Sequence, residues 1–340
     1  MTGHPWRPAA SRSILQQRAR LLQRVRAFFW QRGVMEVETP HCLPSVAPEL
    51  HQDPIVCQQG FLLTSPETAM KRLLAAGLGP IYQIGRAFRS GEHGALHNPE
   101  FAILEWYRPG WTCLELMTEV EALLVAVWAD GPGAPCGPDR PAAIWRYADA
   151  FRHFAGVDPF TDSQATLLAA SRQGVSPLSP VLPSCLLPDD LEREALLDLL
   201  LVQQVEPGLR AMGGAVFLVD FPPAAAAMAR IEPGPPAVAK RFELYVAGVE
   251  LANGYQELTD PIEQRARLLQ VNRQRQELGK VPLPIDEPFL QALAHGMPEC
   301  AGVALGLDRL VMLAVGAERI QEVMTFPSDC TQPDNNNGGE

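Results

Sequence analysis

Apolar positions recur along this chain with two clear periods, and the places where one period gives way to the other mark its elements. After Ser11, Leu15, Leu22, Val25, Phe28 and Phe29 follow helical spacing, with Ser11 placed to cap the start and Gly33 to end the run. VMEVETP then reads as a strand closed by Pro40. From Phe61 to Gly77, FLLTSPETAMKRLLAAG predicts a short strand, a Thr-Ser-Pro entry and an amphipathic helix. Between Ile81 and Tyr107 two β-rich arms, IYQIGRAFR and EFAILEWY, flank the turn formers Ser90, Gly91, Gly94, Asn98 and Pro99, which predicts a long hairpin. Along its second arm the period of two puts Phe101, Ile103, Glu105 and Tyr107 on one face and Ala102, Leu104 and Trp106 on the other. LELMTEVEALLVAVWAD follows as a helix with Leu116, Val120, Leu123, Leu124 and Val127 on one side. Two further strand arms meet near Gly248 within Arg241 to Asp260, and GVALGLDRLVML from Gly302 runs from a glycine-rich strand into a helix starting near Asp308.

Three proline- and glycine-rich runs, GPGAPCGPDRPAA, SPLSPVLPSCLLPDD and EPGPPAVA, punctuate the middle of the chain. They set off residues 143–214 as an insertion within a single domain of residues 1–327. The tail, residues 328–340, ends in TQPDNNNGGE without apolar residues and is expected to be disordered. No internal repeat is visible.

Composition narrows the picture. With 340 residues, 47% of them hydrophobic and 20% charged, the chain can bury a large core. A net charge of -11 and a pI near 5.2 oppose a broad phosphate-tracking surface, although a local basic patch is compatible with both. The seven cysteines are scattered and never in CxxC spacing, so neither a zinc site nor a disulfide framework is implied. The opening MTGHPWRPAASRS has no signal-type apolar run, and no stretch reaches the roughly 18 apolar residues of a membrane span. A cytoplasmic, membrane-free protein is expected.

Candidate chemistry concentrates in the strand-rich segments. The hairpin loop and its flanks gather Arg86, Arg89, Glu92, His93, His97 and Glu100, more ionisable groups than a connection needs. Standing alone they would describe a solvated edge. Glu67 lies in the first turn of its helix, where an acid also serves the helix dipole. Glu243, Glu250 and Glu257 recur at intervals of seven, a pattern that by itself means charged residues on a wet sheet face.

Taken together, FRSGE, HNPEF and EWY in one hairpin resemble motif 2 of the class II aminoacyl-tRNA synthetases, in particular the lysyl branch, which carries FR, HNPEF and E-x-Y in that order. The helix, glycine, strand and proline at the start resemble motif 1, which builds the dimer interface of that class, and GVALGLDRLVML resembles motif 3. The resemblance covers about Arg20 to Phe326. It implies an α+β catalytic domain, an antiparallel sheet flanked by helices. No room is left for the N-terminal OB-fold that reads the anticodon, so the chain is similar to the free-standing lysine ligases of that branch. These activate (R)-β-lysine with ATP and attach it to a lysine side chain of elongation factor P; SPE, HNPEFAILEWYRP, ELANGYQEL and GVALGLDRLVMLA fit them closely.

The resemblance also implies roles. Arg89 would bind the α-phosphate and Arg309 cover the adenine face opposite Phe101, the two acting as the catalytic pair. Ser90, Gly91, Glu92, His97, Asn98, Leu251 and Gly306 would complete the ATP site. Glu243 and Glu250 would hold Mg²⁺, which needs few carboxylates once phosphate oxygens and water contribute. Ser65, Pro66, Glu67, Tyr107, Glu257 and Ala304 would contact the lysine substrate. A homodimer that ignores tRNA is expected. Two departures from the synthetase pattern stand out. FRSGE puts Gly91 where FRxE has Glu, leaving open whether Glu92 or the Gly91 backbone meets the adenine. Ala304 gives GxAxG where lysyl-tRNA synthetases have GxGxG. The residues leave two other readings open: a lysine-activating enzyme with another acceptor, a small molecule or a tRNA, and an inactive synthetase-like regulatory module.

Overall fold

The computed structural model describes residues 6–128, 134–137, 139–173 and 191–328. The proline-rich run from Ser176 and residues 329–340 of the tail lie outside them. In chain order the elements are α1 (Arg12–Gln31), β1 (Met35–Glu36), β2 (Cys42–Leu43), β3 (Val56–Cys57), β4 (Gly60–Leu62), α2 (Glu67–Ala75), β5 (Ile81–Phe88), β6 (Glu100–Pro109) and α3 (Cys113–Val127). There follow β7 (Ala143–Arg146), α4 (Tyr147–Phe154), α5 (Gln164–Gln173), α6 (Arg193–Leu200), α7 (Glu206–Met212), β8 (Ala215–Phe221), β9 (Ile231–Glu232), β10 (Val238–Val246) and β11 (Val249–Gln256). The chain closes with α8 (Pro261–Glu277), α9 (Glu287–Gly296), β12 (Cys300–Gly306) and α10 (Leu307–Val315).

Nine strands form one sheet in the order β1-β5-β6-β12-β11-β10-β8-β7, with β9 beside β10. The central strands β5, β6, β12, β11, β10 and β8 pair antiparallel throughout, and the edge pairs β1·β5 and β7·β8 are parallel. Helices flank the sheet, giving the α+β architecture that the resemblance implies. Residues 143–214 contribute β7 to the edge of this sheet, and their helices pack Tyr147, Phe151, Leu196 and Leu200 against Val216, Leu218 and Tyr245.

Local chemistry starts and stops the helices. Ser11 Oγ accepts from the Ile14 amide at 3.3 Å to cap α1, and Gly33 just beyond it has a φ of 66°, open to glycine without strain. Thr112 and Glu115 close a capping box on α3. The apolar side of α1 then packs, with α3 and α10, on one face of the sheet against Leu104, Trp106, Leu244 and Leu305. Phe28 and Phe29, which the resemblance would offer to a two-fold interface, are 3% and 0% exposed in this core. Phe29 stacks on Tyr82 with ring centroids 4.4 Å apart and meets Trp106 edge-on at 5.3 Å. An aromatic that the chain's own core consumes is not free for a partner; at the end of α1 it is Trp30 that stands 84% exposed.

A smaller sheet, β2-β4-β3, lies beside the first. Its two outer strands carry Cys42 and Cys57, whose sulfurs stand 2.6 Å apart as free thiols. Fifteen residues separate them in sequence, so no spacing rule pairs them; they meet because both β2 and β3 hydrogen-bond to β4.

One irregularity decides the chemistry of the large sheet. Opposite β10, the register steps from Leu244↔Ala252 to Tyr245↔Glu250, so Leu251 is an extra residue in β11. A seven-residue interval in a regular strand would put Glu250 and Glu257 on opposite faces. The bulge removes one step, and both side chains line the same cavity.

Candidate active site

The face of the sheet away from α1 and α3 forms the floor of a cavity of about 340 Å³. Its floor is ordered by register. Across five strands, Gln83, Glu105, Ala304, Asn253 and Glu243 stand side by side, and the neighbouring row runs Ile81, Tyr107, Gly302, Tyr255 and Arg241. Gly302 is there because of close approach: a Cβ would lie 2.3 Å from the Tyr107 ring and 2.4 Å from Glu257 Oε1. Without it Tyr107 and Glu257 can converge over the strand.

The outer end is rich in cations. Arg309, in the first turn of α10, donates from Nη1 to the Glu250 carbonyl at 2.8 Å and from Nε to the Leu96 carbonyl at 3.2 Å. Its Nη2 lies 2.8 Å from His97 Nε2, which must therefore accept. Burial and the Arg309 charge both lower the His97 pKa, consistent with a neutral imidazole. Arg89 sits over the Phe101 ring at 4.9 Å, 3.5 Å from Glu92. α10 is anchored beneath by Asp308, which accepts from the Ala102 amide at 2.6 Å and pairs with Arg18 at 2.6 Å.

Two carboxylates border this end. Glu243 is buried between Arg241 and the Tyr245 hydroxyl, which donates to it at 2.7 Å. Burial raises its pKa, and the nearby Glu250 raises it further. The Glu250 side chain is 41% exposed. Two like charges facing one cavity, one of them open to it, fit a divalent cation that shares phosphate oxygens and water. Among the described residues no group of three or more His, Cys, Asp or Glu is arranged to hold a metal alone.

The inner end is acidic and dry. Glu105, 2% exposed, accepts from Ser65 Oγ and from the Tyr107 hydroxyl, each at 2.7 Å. Burial, with the Glu67 charge beside it, pushes its carboxyl up to about 7. Glu257, 3% exposed, is likewise raised by burial and held down by Lys71. Across Ala304 from Glu105, Asn253 keeps a buried Oδ1 without a hydrogen-bond partner. An acceptor left open among carboxylates is a ready contact for an ammonium ligand.

Of the residues that the sequence singles out, Ser65, Glu67, Arg89, Glu92, His97, Asn98, Phe101, Tyr107, Glu243, Glu250, Leu251, Glu257, Ala304, Gly306 and Arg309 all line this cavity. Pro66, Ser90 and Gly91 do not. Pro66 is the N-cap residue of α2. The Ser90 amide bonds to the Asp53 carbonyl at 2.8 Å, and Gly91 has a φ of 77°, a conformation that a Glu in its place would strain to adopt. Of the two adenine candidates it is Glu92 that faces the cavity. Asn98, expected among the phosphates, is only 4% exposed, donates to the Glu100 carbonyl at 2.6 Å and accepts twice from Ser328. It braces the loop. Glu105, Asn253, Arg241 and Lys71 were not selected from the sequence. The period of two already puts Glu105 on the Phe101 and Tyr107 face, and that signal could have found it.

A family model described as tRNA synthetases class II (D, K and N) matches residues 5–330. The chain is 44% identical over 333 residues to a protein of Proteus mirabilis, covering 95% of this chain and 97% of that one. It is 44% identical over 338 residues to one of Vibrio cholerae, covering 96% and 99%, and 42% identical over 333 residues to one of Hamiltonella defensa, covering 95% and 97%. Each of these relatives is named elongation factor P–(R)-β-lysine ligase.

Proposed function

The chain belongs to the class II tRNA synthetases of the aspartyl, lysyl and asparaginyl type, and on that premise we propose that it activates (R)-β-lysine with ATP and ligates it to a lysine side chain of elongation factor P. The observation that carries this reading is a single cavity with an arginine-flanked outer end and a buried carboxylate floor at the other. Near-full-length identity to ligases of that name supports it. The test is intact-mass analysis of elongation factor P after incubation with the protein, ATP and (R)-β-lysine. A gain of one lysyl residue that requires all three is expected, and no mass change would overturn the reading.

In the first step the substrate carboxylate attacks the α-phosphorus of ATP, the bond to the β-phosphate oxygen breaks, and an aminoacyl-adenylate and pyrophosphate form. In the second the acceptor amine attacks the activated carbonyl, an amide bond forms, AMP leaves and the amine gives up a proton. The protein contributes positioning and charge neutralisation. Arg89 binds the α-phosphate through its planar fork, Arg309 and Phe101 hold the adenine between them, and Glu92 reaches its edge. Glu243 and Glu250 would hold Mg²⁺, which would offset phosphate charge. Glu67, Glu105, Glu257 and Tyr107 receive the side-chain ammonium, and Asn253 Oδ1 accepts from the substrate amine nearer the reacting carboxylate.

Ala304 sets the isomer. Its methyl group stands in the row between Glu105 and Asn253, and it packs also against the small apolar cluster of Leu43, Leu63, Ala87 and Ile103. Moving the amino group from the β to the α carbon changes the shape laid over that methyl. Ala304→Gly therefore shifts kcat/KM toward α-lysine relative to (R)-β-lysine, by up to roughly 10- to 200-fold, the worth of one methyl in a packed site. Adenylation rates with both isomers measure it, and an unchanged ratio would reduce Ala304 to packing.

The same premise supports a homodimer that leaves bulk tRNA uncharged. With Phe28 and Phe29 in the core, the contact falls to the exposed Trp30 and the half-exposed Met35. Light scattering should give twice the chain mass, and Trp30→Glu should shift it toward the monomer. A wild-type monomer, or efficient aminoacylation of bulk tRNA, would contradict this.

A further inference from the structure

Beneath the substrate end of the cavity lies a cation that the reaction as described does not use. Lys71, on α2, has no exposed surface. Its Nζ lies 2.5 Å from Glu67 Oε1 and 2.6 Å from Glu257 Oε2, with Met228 Sδ at 3.6 Å and the Phe289 ring centroid at 5.9 Å. The sulfur and ring that the ammonium also meets carry no charge, so the two carboxylates supply its compensation. In return it engages one oxygen of each. The other Glu257 oxygen, Oε1, is left on the strand side beside Gly302 and Tyr107, where it lines the cavity.

We infer that Lys71 is a positioning residue for amine recognition, a resident ammonium that fixes the orientation of Glu67 and Glu257 and sets the charge of the cavity floor for a diamine. The inference rests on the lysine-activating reading. The floor holds three carboxylates, Glu67, Glu105 and Glu257, against this one ammonium, a surplus of two negative charges when all are ionised. (R)-β-lysine carries two ammonium groups. Were Lys71 apolar, the buried Glu105 and Glu257 and the half-buried Glu67 would face one another uncompensated, and Glu67 and Glu257 would be free to turn into the vacated space. An i,i+4 pair whose only work is to stabilise α2 would have no reason to reach across to Glu257, which follows a different strand and hydrogen-bonds through its amide to the Cys300 carbonyl.

The test uses full-length Lys71→Met and Lys71→Arg in ATP–pyrophosphate exchange, with ATP and (R)-β-lysine varied separately. Lys71→Met should raise the KM for (R)-β-lysine by roughly 30-fold or more, the usual cost of removing one partner from a buried charge cluster, while the KM for ATP stays within about threefold. Lys71→Arg, which keeps the charge and the donors, should recover much of that loss. An unchanged (R)-β-lysine KM in Lys71→Met would overturn the inference. So would a parallel rise of both KM values in the two variants, the mark of a structural role. If Lys71→Met does not fold, Lys71→Gln, which keeps a donor without the charge, decides by the same split: a rise confined to (R)-β-lysine supports the inference, and an unchanged or parallel response overturns it. Absence of lysine-dependent exchange in the wild type would overturn the functional reading and this inference with it; exchange in the wild type with no selective effect in either variant overturns this inference alone.

Discussion

Arg89→Ala is expected to lower ATP–pyrophosphate exchange by about 10²–10³-fold, the range for losing one preorganised group that meets charge developing in the transition state. The loss should fall mainly on kcat, because the guanidinium is needed most as negative charge shifts on the α-phosphate. Little of it should come from unfolding. The Arg89 side chain is 24% exposed, its pair with Glu92 spans 3.5 Å, and its contact with Phe101 lies on the cavity wall. A half-buried pair at that distance contributes only about 1 kcal/mol to the fold. Glu250→Gln should behave alike by removing charge from the pair proposed to hold Mg²⁺, and here raising Mg²⁺ should restore part of the rate, whereas Arg89→Ala should not respond. Exchange at near wild-type rate in either variant would remove that residue from the phosphate chemistry.

The parts of this site legible in the sequence are those that rest on strand period and local turn chemistry. A period of two is sufficient to put Phe101, Ile103, Glu105 and Tyr107 on one face, and they line the cavity together. The step from glycine-rich strand to helix likewise puts Arg309 in the first turn of α10. What stayed hidden depends on contacts between distant segments. The Leu251 bulge brings Glu250 and Glu257 to one face, and only the pairing with β10 reveals it. Lys71 reads in sequence as an ordinary helix lysine, four residues after Glu67; its burial is set by Met228 and Phe289, remote in the chain. Phe28 and Phe29 lie on the apolar side of α1, and helical spacing alone cannot say whether that side meets the chain's own sheet or a second copy. The cysteine pair fails the spacing rules for the same reason: strand pairing, not sequence separation, brings Cys42 to Cys57.

The acidic floor that would bind the substrate should also be a cost to the empty protein, and Glu105→Gln should expose both sides of that trade. Glu105 is buried, and its carboxyl is pushed up to about 7 by desolvation first and by the charge of Glu67 next, against the hydroxyls of Tyr107 and Ser65 and the ammonium of Lys71. A folded-state pKa above the unfolded value of 4.5 means that folding favours the protonated form. The contribution is fully present below the unfolded pKa and is lost as pH rises through about 7. At pH 8 the free protein therefore holds an ionised carboxylate that its surroundings disfavour. Glutamine has the same shape without the charge: its carbonyl oxygen keeps one hydroxyl donor, and the other hydroxyl, of Ser65 or Tyr107, can turn to accept from its amide N–H. The variant should melt a few degrees higher than wild type at pH 8, with the gap closing toward pH 5. Glu257, raised by burial to about 8, keeps some of the same pH dependence in both proteins. Activity should move the other way. With the counter-charge gone, kcat/KM for (R)-β-lysine should fall by roughly 30-fold or more, and the wild-type value should itself decline as pH drops through about 7 and Glu105 takes up a proton. Melting curves at pH 5 and pH 8 beside the kinetics decide the matter: a variant that melts lower than wild type at pH 8, or that keeps full kcat/KM for (R)-β-lysine, would show that Glu105 serves the fold and not the substrate.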